Sequence, residues 1–117
     1  MANINWLPLS ELNQIEQLRE RSKNVPCLIF KHSTRCSLSS LAQNRLESHW
    51  AFGEGDLIPY HLDLVANRPL SDAVVEAFGV RHESPQVLLI RNGVCTYHAS
   101  HLDVSVKSLK AALSQEM

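Results

Sequence analysis

Three apolar stretches, at residues 25–30, 57–64 and 86–91, alternate along the chain with stretches of helical periodicity. Each is too short for a helix and has the length and flanks of a buried strand. The first, Val25-Pro26-Cys27-Leu28-Ile29-Phe30, carries its proline near the start, where a strand tolerates one. In the second, Tyr60, Leu62 and Leu64 alternate with His61 and Asp63. The third ends at Asn92-Gly93, a hairpin signal, so Val94-Cys95-Thr96-Tyr97-His98 reads as its antiparallel partner.

The intervening stretches read as helices. Ser10 caps a first one carrying Leu12, Ile15 and Leu18. Its end is expected before Pro26. A second runs from about Arg35 to Trp50, with Leu38, Leu41, Ala42 and Leu46 on one face, and Gly53-Glu54-Gly55 breaks the pattern. A third over 71–78 follows Arg68-Pro69 and stops at Gly79. Asp103 would cap a last one carrying Val104 or Val106, Leu109, Ala112 and Leu113.

This order gives a β-α-β crossover followed by a hairpin and a closing helix. The fold class is α/β, with a mixed central sheet of about four strands and helices on both faces. A length of 117 residues suits one domain spanning 1–117. Eleven Lys and Arg against twelve Asp and Glu give a net charge of −1, so nucleic acid and anionic membrane are not expected partners. The first residues show neither a basic region nor an apolar run of signal length, and a cytoplasmic location is expected.

Cys36 is the sharpest chemical feature. It follows a buried strand by a few residues and sits at the start of the next helix. Ser33 or Thr34 would cap that helix, leaving Cys36 among free N–H groups that favour an anion. Lys31, His32 and Arg35 add positive or titratable groups. A free cysteine is more often an inert packing residue, but the polar loop and helix start match the setting of a lowered-pKa, nucleophilic thiol. Cys27 and Cys95 fall in strands and read as packing residues, and an odd count of three argues against a disulfide framework. Trp6 and Trp50 also read as packing residues. His82, His98 and His101 lack the spacing and partners of a metal site, and no metal is expected.

The segments Lys31-His32-Ser33-Thr34-Arg35-Cys36-Ser37-Leu38-Ser39 and Ser84-Pro85-Gln86, with the hairpin at Asn92-Gly93, resemble the thioredoxin superfamily. More closely they resemble the YtxJ-type bacillithiol-system proteins, the monothiol bacilliredoxins. The resemblance spans nearly the whole chain. It implies a thioredoxin-like fold with Cys36 as the active-site thiol and Pro85 as a cis proline beside it. From the sequence alone, a trans proline opening a strand is the simpler reading of Pro85.

The resemblance also implies that the peptide groups flanking Pro85, those of Ser84 and Gln86, engage substrate by β-augmentation. Thr34 and Arg35 would set the loop and its charge. Thioredoxin uses a second cysteine three positions on, where this chain has Ser39. Ser39 reads equally as a hydrogen-bond donor to the sulfur or as an ordinary first-turn residue. Ser37 stands where family members often have proline. The activity implied is removal of bacillithiol, or a similar low-molecular-weight thiol, from protein mixed disulfides. The co-substrate is that thiol, the partners are S-thiolated proteins, and no cofactor is tightly bound. A thioredoxin-like binding module without turnover and a redox sensor are the other readings of the same thiol.

Overall fold

The computed structural model describes residues 4–53 and 55–115. Met1, Ala2, Asn3 and Glu54, part of the two-glycine break, lie outside them. The elements run β1 (Leu7–Pro8), α1 (Asn13–Arg21), β2 (Cys27–His32), α2 (Ser37–His49), β3 (Ile58–Asp63), α3 (Arg68–Phe78), β4 (Gln86–Arg91), β5 (Val94–Ser100) and α4 (Val106–Leu113). A single 3₁₀ turn, His101–Asp103, precedes α4.

The sheet has five strands in the order β1-β3-β2-β4-β5. β3 is parallel to β1 and β2, whereas β4 is antiparallel to β2 and β5. The strand beyond the expected four is β1, two residues long and too short to show any periodicity. Alternation along β2 sends Cys27 and Ile29 to one face, where Ile15 and Leu18 of α1 and Leu70 and Val74 of α3 pack. Leu28 and Phe30 go to the other, against Ala42 and Leu46 of α2 and Leu109 and Ala112 of α4. Burial of each such side chain contributes about 1.5–3 kcal/mol relative to exposure. Trp6 stacks on Phe30 with centroids 5.6 Å apart and donates to Glu47 at 2.8 Å, a packing role.

Several helix starts differ from the sequence expectation. The Leu12 side chain is 63% exposed and only Ile15 and Leu18 of the first set are buried. Ser10 does not cap α1. Instead the Gln14 side chain reaches back and accepts from the N–H groups of Ser10 and Glu11, at 2.7 and 2.9 Å. Leu41 is 48% exposed, so the buried stripe of α2 is Ser39, Ala42 and Leu46. Asp103 lies in the 3₁₀ turn, and Ser105 caps α4 by accepting from Ser108 N–H at 3.1 Å. Val104 is fully buried but precedes the helix. Among the described residues, no helix is long and apolar enough to cross a membrane.

Candidate active site

β2 runs two residues beyond its apolar stretch, through Lys31 and His32, before turning into α2. Both are buried, at 0% and 8% exposure, and His32, expected to open a polar loop 32–35, belongs to the strand. Strand alternation decides their destinations. Lys31 continues the row of Cys27 and Ile29 toward α3, and His32 continues that of Phe30, whose ring lies 5.8 Å away.

The cap of α2 is Cys36 itself, in extended conformation (φ −117°, ψ 115°), rather than Ser33 or Thr34. Thr34 is exposed, and the Ser33 hydroxyl accepts instead from Arg35 N–H at 3.3 Å. The Cys36 sulfur therefore occupies the place of an N-cap oxygen, facing the free N–H groups of the first helical turn. Its pKa is lowered, chiefly by the Ser39 N–H; desolvation opposes this and is the next largest influence, and the Leu38 N–H and the Ser39 hydroxyl add lesser help. A thiolate here is favoured by the N-terminal end of α2.

Ser39 also ties the site together. Its buried hydroxyl accepts from Ser33 N–H and lies against the Ser84 hydroxyl, both at 3.3 Å. The Ser84–Pro85 peptide bond is cis. The Pro85 carbonyl accepts from His101 N–H at 2.9 Å. Gln86 pairs with Lys31 on one side and Ser100 on the other. Its side chain is buried and donates to the Arg81 carbonyl at 3.0 Å, so the structure does not bring it to the thiol. Of the three residues flanking the cis bond, Ser84 alone has main-chain groups without a hydrogen bond among the described residues.

A pocket of about 440 Å³ opens beside Cys36, walled by Arg35, Arg68, Asp72, His82 and Ser84 among others. Beneath it the Lys31 ammonium donates to His82 Nδ1 at 3.3 Å, and the Ser71 hydroxyl approaches the same nitrogen at 3.3 Å. Burial lowers the Lys31 pKa to about 8, partly offset by the Asp72 carboxylate. The His82 pKa is lowered by burial and by the Lys31 charge. At neutral pH, Lys31 is thus the cation and His82 the acceptor. Arg68, Asp72 and His82 share the pocket with the thiol, coming from α3 and the segment after it, and no motif in their local sequence marks them.

The other two cysteines stand apart. Cys27 pairs with Ile90, and Ile90 with Cys95, at the end of the sheet opposite the pocket. The length of β2 separates them from Cys36 by on the order of 15 Å. Burial raises the Cys27 pKa to about 11 and raises that of Cys95. Among the described residues, no three His, Cys, Asp or Glu side chains group to hold a metal ion.

Residues 7–109 match the family model of the monothiol bacilliredoxin BrxC. The chain belongs to the monothiol bacilliredoxin family. A similar solved structure, that of a protein proposed to be an oxidoreductase with a thioredoxin fold, shares 33% identity. Each chain covers 92% of the other, with a TM-score of 0.79. Thioredoxin from Malassezia sympodialis is 18% identical, with a TM-score of 0.72 over 98% of this chain and 91% of its own. Thioredoxin from Trypanosoma brucei brucei is 14% identical, with a TM-score of 0.71 over 93% and 88%. The likeness to these two shows the fold, and this bacilliredoxin family member has the thioredoxin fold.

Proposed function

We propose that this protein is a monothiol thiol–disulfide oxidoreductase that takes bacillithiol, or a similar low-molecular-weight thiol, from protein mixed disulfides onto Cys36. The observation that carries this reading is Cys36 at the N-cap position of α2, its thiol pKa lowered, beside an open pocket. The Cys36 thiolate attacks the sulfur of the small thiol. The protein–small-thiol S–S bond breaks, a Cys36–small-thiol S–S bond forms, and the target cysteine leaves as a thiolate that takes its proton from water. One disulfide is exchanged for another with no net oxidation.

Ser39 stands where a second cysteine would close an internal disulfide, and Cys27 and Cys95 lie at the far end of the sheet. Resolution of the Cys36 mixed disulfide therefore falls to an outside thiol. Ser84, Thr34 and Arg35 line the approach of the substrate in this reading, with Ser84 offering its free main-chain groups as a short β-augmentation edge.

The test is transfer from a target protein carrying one bacillithiol mixed disulfide, followed by intact-mass spectrometry. The expected result is one adduct, on Cys36, with release of the reduced target and no adduct on Cys36→Ser. A wild-type chain that is folded and alkylates at Cys36, yet acquires no small thiol, would overturn the reading in favour of a binding module.

A further inference from the structure

The pocket beside Cys36 carries a charge arrangement that folding stability disfavours. Arg68 is the first residue of α3, and Arg35 immediately precedes the cap of α2. Helix N-termini favour anions and disfavour cations. Neither helix has an acidic residue in its first turn, and α3 has no side-chain cap hydrogen bond. Two cations therefore stand at two positive helix ends that wall one cavity.

The neighbouring acids are otherwise engaged. Glu83 pairs with His101 at 3.2 Å. One Asp63 carboxylate oxygen accepts from Val65 and Ala66 N–H, at 3.0 and 3.4 Å. Asp72 lines the pocket and interacts with the fully buried Lys31 below it. The guanidinium groups of Arg35 and Arg68, both exposed residues, have no hydrogen bond or ion pair among the described residues. The lining thus keeps an excess of positive charge around the reacting sulfur.

We infer that Arg68, assisted by Arg35, is a specificity-determining residue that holds an anionic group of the small thiol in the mixed disulfide. The ligand class is a low-molecular-weight thiol bearing a carboxylate. A guanidinium matches a carboxylate with two parallel hydrogen bonds. The anion would also meet the free N–H groups at the start of α3. This inference rests on the reading of Cys36 as the acceptor of such a thiol.

The test uses one target protein carrying three mixed disulfides in turn: with mercaptosuccinate (anionic), 2-mercaptoethanol (neutral) and cysteamine (cationic). Transfer rates to Cys36 are measured by mass spectrometry for wild type, R68Q, R68K and R35Q. Each mercaptosuccinate rate is divided by the mercaptoethanol rate of the same variant, which cancels any change in Cys36 reactivity. The expected ratio falls about five-fold or more in R68Q, less in R35Q, and is partly kept in R68K. It also falls with added salt, and cysteamine is the slowest donor in wild type. An unchanged ratio in R68Q, with transfer intact from all three, would overturn this inference and leave the proposed function standing. No transfer from any of the three, with Cys36 still alkylating, would overturn both.

Discussion

Ser39 joins three parts of the site through one hydroxyl, and its contribution to the thiolate can be separated from that of its backbone. The Ser39 N–H is the leading cause of the lowered Cys36 pKa, and the hydroxyl adds to it. Ser39→Ala keeps the first and removes the second. The midpoint of Cys36 alkylation against pH is expected to rise, yet to stay below that of an unperturbed thiol, and the rate near neutral pH to fall accordingly. The same change strands the Ser33 N–H and costs roughly 1 kcal/mol of stability. An unmoved midpoint would assign Ser39 to structure alone. At this scale the sequence exposes Cys36 clearly, because a polar loop between a buried strand and a helix is a local pattern. Arg68, Asp72 and His82 are not legible in that way. They approach from more than thirty residues downstream, and periodicity gives the face of a helix but not which helix start will meet which thiol. Lys31 is hidden for a different reason: lysine is rarely fully buried, so its chemistry argues for the surface.

The hairpin between β4 and β5 shows an element whose sequence signal and structure coincide. Asn92 and Gly93 both have positive φ, 53° and 82°, as a tight hairpin turn requires. Gly93 N–H donates to the Ser22 hydroxyl at 2.8 Å, and a Cβ added at Gly93 would lie 3.3 Å from Arg19 Cγ. Gly93→Ala is expected to lower stability by about 1–2 kcal/mol in urea titration, with the Cys36 alkylation midpoint unchanged, because the turn lies at the far end of the sheet. A neutral effect would mean that the turn relaxes into another type. Where elements depart from the sequence reading, tertiary contacts override local preference. Val104 fits the apolar period of α4 but packs on the sheet before the helix begins, so Ser105 takes the cap expected of Asp103. β1 exists through its pairing with β3 and has no local signature to read.

Across the whole molecule, the ends of β2 and β3 and the starts of α2 and α3 converge on one pole, and that pole concentrates positive charge around the thiol. Lys31 is the part of this arrangement placed inside the protein, and it makes the cost measurable. Its pKa in the folded chain is about 8, against 10.5 for an ordinary lysine. Below about pH 8 both folded and unfolded chains hold the proton, and the folded state carries the full penalty of a buried cation. Between about 8 and 10.5 the unfolded chain binds more protons, so stability rises with pH. Lys31→Met removes the cation and fills its space with an apolar chain. The variant is expected to be more stable than wild type at neutral pH by about 1–3 kcal/mol, after allowance for screening at the pocket mouth. That advantage should shrink steadily as the pH is raised through the alkaline range, as read from urea midpoints of the two proteins in matched buffers. The same variant should transfer anionic thiols more slowly, since the charge beneath His82 is gone. A stability difference that stays constant with pH would show that water reaches the Lys31 ammonium, and the positive pole would then rest on the two arginines alone.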